Sequence, residues 1–136
     1  MAMDWNIKKM RAMSGIEYLI DTNILIYMMQ GKPEVEYFAG EEMLAVSYIT
    51  EMEALGKYQI STSEKHIISG FLNRCHIIEM NARIKSLAID IKQQTRIKLP
   101  DAIVAATAMK YRLLLVTADK DFEKISNLNL LLMNMS

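Results

Sequence analysis

Residues 18–29 read YLIDTNILIYMM, and the pattern of this stretch changes at Asp21. The segment before it, placed at Glu17–Ile20, is short and largely apolar, as in a strand that is buried in a parallel sheet. The apolar positions after it continue through Met29 with the spacing of a helix. An acidic residue therefore stands where a strand ends and a helix begins.

The alternation of strand and helix continues along the chain after a break at Gly31-Lys32-Pro33. We predict four further strands, at Met43–Ser47, His76–Met80, Leu113–Thr117 and Leu128–Met133. Helices are predicted at Glu34–Ala39, from about Ile49 to Tyr58, after a cap at Ser63, after a cap at Asn81, and from Pro100 to about Tyr111. This alternation predicts an α/β fold, a three-layer sandwich in which helices cover both faces of a parallel sheet.

The composition fits one domain. The chain has 136 residues, of which 51% are hydrophobic, enough for a core without disulfides or metal. Basic and acidic side chains balance at 16 each, which argues against a general polyanion binder. Cys75 is the only cysteine, a pattern typical of a reducing compartment. No apolar run approaches the roughly 20 residues that span a bilayer, and we predict a cytoplasmic protein.

Residues 1–16, MAMDWNIKKMRAMSGI, are predicted to lie outside the domain. Their basic residues are not followed by a continuous apolar stretch, so we reject a signal peptide. We interpret them as an amino-terminal extension or a vector-derived remnant, and we place the domain at residues 17–136.

Three further acidic residues stand at the boundaries of strands or helices. Glu53 follows the second strand in VSYITEMEALGKY (46–58). Asp101 lies in the first turn of its helix in IKLPDAIVAATAMKY (97–111), and Asp119 stands two residues past the fourth strand in LLLVTADKDFEKI (113–125). Ligands of open α/β sheets bind outside the carboxyl ends of the strands. If the first and fourth strands are neighbours, Asp21 and Asp119 share one edge of the sheet, whereas the place of Asp101 depends on tertiary structure.

Each acidic residue also has a purely structural interpretation. Asp21 could cap a helix, and Asp101 gains from the positive end of its helix dipole. Asp119 and Asp121 could form Asx turns, and Glu53 could be an ordinary solvated helix residue. Because four such residues occur in one short chain, a purely structural explanation of all four is less favoured than of any one.

A shared site for these acidic residues would need a cation. Two carboxylates about 4 Å apart repel by about 4 kcal/mol at an effective dielectric constant near 20, so converging acids either raise their pKa values or bind a cation. Oxygen ligands favour Mg²⁺ or Mn²⁺ over Zn²⁺. His66 and His76 are not spaced to bind metal with Cys75, which we interpret as a core thiol; the histidines are expected at the surface or at a sheet edge.

The four acidic motifs, in this order, resemble those of the PIN-domain ribonucleases, and most closely the VapC-type toxins of toxin–antitoxin pairs. The motifs are YLIDTNILI, SYITEMEALG, LPDAIVAATA and LVTADKDF, and the resemblance runs from about Tyr18 to Asn134. It implies a PIN-like, flavodoxin-like or Rossmann-like architecture with a five-stranded parallel sheet. It also implies a homodimer and inhibition by a cognate antitoxin protein.

The resemblance implies a role for each acidic residue. Asp21 and Asp101 match metal ligands of the family. Glu53 matches the second acid, with Glu51 as a competitor that helical periodicity only weakly disfavours. Asp119 matches the fourth and most variable acid.

Other residues of the motifs are expected to play supporting parts. Thr22, Asn23 and Thr117 match small polar positions beside the acids, where they would orient the acids or the substrate. Asp121 belongs to the pair Asp-Phe that follows Asp119, and a structural role is expected for it.

The resulting hypothesis is a metal-dependent endoribonuclease. Asp21, Asp101 and Asp119 would hold one or two Mg²⁺ or Mn²⁺ ions, and Glu53 would bind metal or orient a water for attack on an RNA phosphodiester. A rim of basic side chains would hold the RNA, with these candidates: Lys57, Arg96, Lys98 and Lys120.

Other functional classes stay open from the sequence alone. A catalytically inactive PIN-like module that binds RNA or protein would retain the same acids. A receiver-like phosphotransfer domain also uses clustered acids and a lysine, but no lysine follows a strand at the expected position. A dinucleotide enzyme is disfavoured because no G-x-G-x-x-G follows any strand.

Overall fold

The computed structural model of the protein describes residues 18–39 and 44–136. The predicted extension over residues 1–16, together with Glu17 and Met43 of two predicted strands, lies outside the described residues. The strands are β1 (Tyr18–Ile20), β2 (Ala45–Ser47), β3 (His76–Ile78), β4 (Leu114–Thr117) and β5 (Leu130–Leu132). The helices are α1 (Thr22–Met29), α2 (Glu36–Ala39), α3 (Tyr48–Leu55), α4 (Thr62–Leu72), α5 (Ala82–Gln94) and α6 (Leu99–Tyr111), with short 3-10 segments at Pro33–Val35 and Lys120–Lys124.

The five strands form one parallel sheet in the order β3-β2-β1-β4-β5. Leu19 in β1 is in register with Ala45 on one side, and Ile20 is in register with Val116 of β4 on the other. The strand order reverses beside β1, and such a reversal leaves a crevice at the carboxyl ends of the two central strands. The predicted fold class is therefore confirmed, and the ends of β1 and β4 are neighbours.

Helices cover both faces of the sheet because successive strand side chains point to opposite sides. Leu19 and Leu115 lie in one core cluster with α5 and α6. Ile20 and Val116 lie in a second core cluster with α1 and α4. Helix α6 is buried along most of its length, and its alanines let it pack closely on its neighbours.

Capping side chains set the helix starts, with one difference from prediction. Asn81 caps α5 as predicted, since its Oδ1 accepts a hydrogen bond from the N–H of Ile84 at 2.8 Å. The predicted cap of α4 at Ser63 is wrong. Ser61 caps this helix, because its hydroxyl accepts from the N–H of Glu64 at 3.0 Å. The order Ser-x-x-Glu is that of a capping box, which favours the earlier serine.

Several elements end earlier than predicted. Helix α3 stops at Leu55 rather than near Tyr58, and Gly56 follows as its cap. A Cβ atom at Gly56 would lie 2.4 Å from the carbonyl oxygen of Met52, so only glycine fits there. Strand β3 ends at Ile78, and β5 covers only the centre of the predicted strand. None of the helices among the described residues has the length and apolar character needed to cross a membrane.

The cysteine and the histidines lie as expected. Cys75 is partly buried, and this burial raises the pKa of its thiol to about 11. His66 is exposed on α4, and His76 lies in the edge strand β3. A thiol with such a pKa is a poor nucleophile at neutral pH, in keeping with a packing role.

Candidate active site

Asp21 joins β1 to α1 at the carboxyl edge of the sheet. Its backbone N–H donates to the carbonyl of Val116 at 2.9 Å and so extends the pairing with β4. Its Oδ1 accepts from the N–H of Thr22 at 2.8 Å and caps α1. Asp21 is only 5% exposed. The capping interpretation is thus correct, but the cap engages only one of the two carboxylate oxygens.

The second oxygen of Asp21 faces polar side chains. The buried Thr117 hydroxyl donates to Oδ2 at 2.8 Å, and the Asn23 amide donates to the same atom at 3.3 Å. Thr117 Oγ1 also accepts from the N–H of Asp119 at 3.1 Å, and Asn23 Oδ1 accepts from the N–H of Ala118 at 3.3 Å. Thr117 and Asn23 therefore connect Asp21 to the segment that carries Asp119.

Asp119 begins the 3-10 segment at Lys120–Lys124. Its Oδ1 accepts from the N–H of Asp121 at 2.9 Å, which is the side-chain turn considered from the sequence. Asp121 is exposed, and its carboxylate lies 3.5 Å from the ammonium of Lys124. The two aspartates thus have different surroundings, and only Asp119 is bonded directly to the polar residues around Asp21.

Glu53 reaches the same region from α3. The hydroxyl of Thr22 donates to Glu53 Oε1 at 2.6 Å, and the Thr22 and Thr50 hydroxyl oxygens lie 3.1 Å apart. A hydroxyl has one proton and an ionised carboxylate only accepts hydrogen bonds, so the Thr22 hydroxyl donates to Glu53 rather than to Thr50. Glu53, rather than Glu51, makes this contact beside Asp21.

Asp101 lies in the first turn of α6 and is partly buried. Burial is the largest cause that raises the pKa of this carboxyl to about 6. The negative charges of the other three acidic residues raise its pKa further, and the nearby Lys98 lowers it by a smaller amount. The other three acidic residues of the motifs thus lie within electrostatic range of Asp101.

The pKa of Asp21 is also raised, chiefly because this carboxyl is buried. The hydrogen bonds from Thr117 and Thr22 act in the opposite direction, and the charges of Glu53 and Asp119 add to the increase. Two of the acids are thus held where their ionised forms are disfavoured, a condition that a bound cation would relieve.

The donor chemistry of the site fits a hard divalent cation. Its charged groups are carboxylates, which Mg²⁺ and Mn²⁺ prefer as ligands. Within residues 18–39 and 44–136, however, no three Asp, Glu, His or Cys side chains lie close enough together to hold an ion. The charges of the site fit a cation, although the carboxylates as they stand do not enclose one.

Some contributors to the site were missed from the sequence or lie apart from it. Thr50 is fully buried beside Thr22, and its position three residues before Glu53 on α3 could have indicated it. Of the four predicted rim cations, Lys98 acts on Asp101, whereas Lys57 pairs with Glu64 at 2.8 Å. The other two, Arg96 and Lys120, are exposed.

Comparison with known proteins places this chain in a family. Residues 18–128, which contain all four acidic residues, match the model of the PIN domain. A toxin–antitoxin complex from Klebsiella pneumoniae contains a chain 33% identical to this one, with a TM-score of 0.70; the match covers 84% of this chain and 95% of that chain. VapBC-1 from nontypeable Haemophilus influenzae is 26% identical, with a TM-score of 0.69 and coverage of 85% and 96%.

A third structure agrees in fold alone. VapBC2 from Rickettsia felis, bound to a DNA fragment from its promoter, is 24% identical over 86% of this chain and 98% of that chain, with a TM-score of 0.73. No curated protein matches the chain. The predicted resemblance to VapC-type proteins is confirmed by these structures. Because the family model covers most of its length, the chain belongs to the PIN-domain family.

Proposed function

We propose that this protein is a metal-dependent endoribonuclease and the toxin of a toxin–antitoxin pair. The observation that carries the proposal is the electrostatic effect of Asp21, Glu53 and Asp119 on Asp101, which together with burial raises the pKa of that carboxyl. Membership of the PIN family supports hydrolysis of RNA. The antitoxin partner is supported by the toxin–antitoxin complexes among the similar structures.

Several of the acids would coordinate the metal. Asp21, Asp101 and Asp119 would bind one or two Mg²⁺ or Mn²⁺ ions, and Glu53 would bind metal or orient a water. When bound, the cation supplies positive charge that activates water and offsets charge developing on the phosphodiester. No side-chain nucleophile is required for this hydrolysis.

The neutral residues of the site would fix these acids in place. Thr117 and Asn23 donate to the Oδ2 atom of Asp21 and limit its rotation. Thr22 holds the Glu53 carboxylate through its hydroxyl. Such partners commonly change metal affinity or activity by about 10–100-fold when they are removed.

Basic residues near the acids would receive the RNA. Lys98 lies close enough to Asp101 to affect its pKa. In the sequence, Arg96 precedes Lys98 by two residues and Lys120 directly follows Asp119; both side chains are exposed. We further propose that the protein acts as a homodimer in the cytoplasm, where its RNA substrate and its antitoxin would be found.

A cleavage assay tests the proposal. Purified protein is incubated with single-stranded RNA in Mn²⁺, in Mg²⁺ and in excess chelator. Asp101→Asn should lower kcat/KM by more than about 100-fold, beyond the usual effect of removing a supporting partner. Asp121→Asn is the matched control, since Asp121 is exposed and pairs only with Lys124 among the described residues. Full activity of Asp101→Asn, or cleavage that persists in chelator, would refute the proposal.

A catalytically inactive module is the second candidate. It is favoured by one observation, that the carboxylates of the described residues do not enclose an ion. The same experiment separates the two, because an inactive module would bind RNA without turnover at any Mn²⁺ concentration. Asp101→Asn would then leave RNA binding unchanged or strengthen it by removing a negative charge.

A further inference from the structure

A second charged concavity lies at the far end of α6 from Asp101. Its volume is about 350 Å³, and it lies between the start of α5, the end of α6 and the loop before β5. Its lining residues are Arg83, Leu87, Met109, Lys110, Arg112 and Asn127. Three of these six are cationic and none is acidic. In a chain whose formal net charge is zero, this is a local concentration of positive charge.

Arg112 occupies a backbone conformation that favours glycine. It ends α6 with φ 54° and ψ 41°, in the left-handed region. A residue with a Cβ atom is disfavoured there, and glycine is the usual choice after a helix. The negative end of α6 does favour a cation, but Lys110 in the last turn already supplies one. Arginine at this position is therefore explained neither by the backbone conformation nor by a helix end that lacks a cation.

Arg83 is placed against the dipole of its own helix. It lies in the first turn of α5, the positive end, where acidic residues are favoured and where this helix has none. Within the described part of the chain, neither Arg83 nor Arg112 forms a salt bridge. Both arginines therefore add their charge to the concavity without a neutralising partner there.

We propose that this concavity binds backbone phosphates of the RNA substrate at a distance from the acids. The inference rests on the proposed function, which supplies RNA as the ligand. Guanidinium groups bind phosphate oxygens through paired hydrogen bonds, and the Asn127 amide can add another. Leu87 and Met109 give the concavity an apolar floor that suits a ribose or a base.

The geometry sets the length of RNA that can use this site. Arg112 lies eleven residues after Asp101, which corresponds to about 16 Å along the axis of α6. At the ~3.4 Å spacing of phosphates along a stacked strand, this distance is about five nucleotides. Because α6 is buried and RNA must follow a longer path over the surface, the RNA must extend at least about five nucleotides from the cleaved bond before it reaches the arginines.

The test uses the double variant Arg83→Gln/Arg112→Gly with a 4-nucleotide and a 20-nucleotide single-stranded RNA. Glycine at 112 removes the charge and suits the backbone, so the thermal unfolding temperature should not fall. For the 20-mer, KM should rise about tenfold with kcat unchanged, and the slope of log KM against log salt should fall by about 1.4, as for two lost phosphates. Cleavage of the 4-mer should not change. Lys32→Gln/Lys65→Gln is the control, because it removes the same charge from exposed positions elsewhere.

The outcomes separate this inference from the proposed function. An unchanged KM and salt slope for the 20-mer would overturn the inference while wild-type cleavage stands. An equal rise in KM for the 4-mer would also overturn it, since the arginines would then act at the acids. If the wild type cuts no RNA, the affinity for a labelled 20-mer is measured in chelator instead. An affinity that is lower in the arginine variant but not in the lysine control supports the binding site, although the proposed activity fails. Stronger competition by poly-glutamate than by an unlabelled 20-mer would overturn the inference and assign the concavity to an acidic protein instead.

Discussion

Asp101→Asn should make the metal-free protein more stable at neutral pH while it removes activity. Burial and the surrounding negative charges raise the pKa of Asp101 to about 6, even though this residue lies at the favourable positive end of α6. The folded protein therefore takes up a proton on Asp101 more readily than the unfolded chain does. Asparagine is neutral and of similar size, so the substitution removes the charge that the fold disfavours.

The sign and size follow from the pKa difference. An acid whose pKa is raised in the folded state favours folding below its unfolded pKa, and this contribution is lost as the pH rises through the folded pKa. For Asp101 the loss occurs between about pH 4 and pH 6. The difference from the ordinary value of 3.8 corresponds to about 3 kcal/mol. Since Asp101 is only partly buried, screening by water reduces the expected effect to about 1 kcal/mol.

Urea unfolding in chelator at pH 3.5 and pH 7.5 measures this effect. The variant should be more stable than the wild type by about 1 kcal/mol at pH 7.5, with the difference absent at pH 3.5. Mn²⁺ at ten times its Kd should then stabilise the wild type by about 1.4 kcal/mol and the variant by less. Asp121→Asn should show neither change. A variant that is less stable than the wild type at pH 7.5 would refute the electrostatic reasoning.

Three further predictions concern the partners of the site. Thr117→Val removes a buried hydroxyl that donates to a carboxylate, and urea unfolding at neutral pH should show a loss of about 1.5–3 kcal/mol; no loss would mean that the bond is not formed. Glu53→Gln should lower the pKa of Asp101 in a carboxyl NMR titration, whereas an equal decrease with Glu51→Gln would contradict the assigned contact. Arg112→Gly should stabilise the protein by about 0.5 kcal/mol, because relief of the left-handed conformation exceeds the entropy that glycine adds to the unfolded chain. A lower unfolding temperature would contradict this last prediction.

The fold could be predicted because hydrophobic pattern and length together decide it. Each strand is a short apolar run between helices, and a parallel sheet is the arrangement that buries such runs on both faces. Element ends were less certain because they depend on individual contacts. Helix α3 ends just before Gly56, where any Cβ atom would meet the Met52 carbonyl, and this close approach cannot be read from the pattern.

The sequence motifs indicated the candidate acids but not the contacts that connect them. The motifs indicated Asp101, yet only the packing of the buried helix α6 brings it near the end of β1. The hydrogen bond from the Thr117 hydroxyl crosses 96 residues of sequence to reach Asp21. Such contacts depend on the adjacency of β1 and β4, which strand patterns alone leave open.

Structural and functional interpretations of Asp21 are not alternatives. Its Oδ1 caps α1 and its Oδ2 receives the Thr117 hydroxyl, so the cap itself fixes the direction of the carboxylate. Asp21→Ala would remove both the cap and the charge, and its loss of activity would not separate them. Asp21→Asn keeps an oxygen that can cap the helix. If Asp21→Asn retains the fold but loses Mn²⁺-dependent cleavage, the charge is needed for function; if it retains cleavage, Asp21 serves only as a cap.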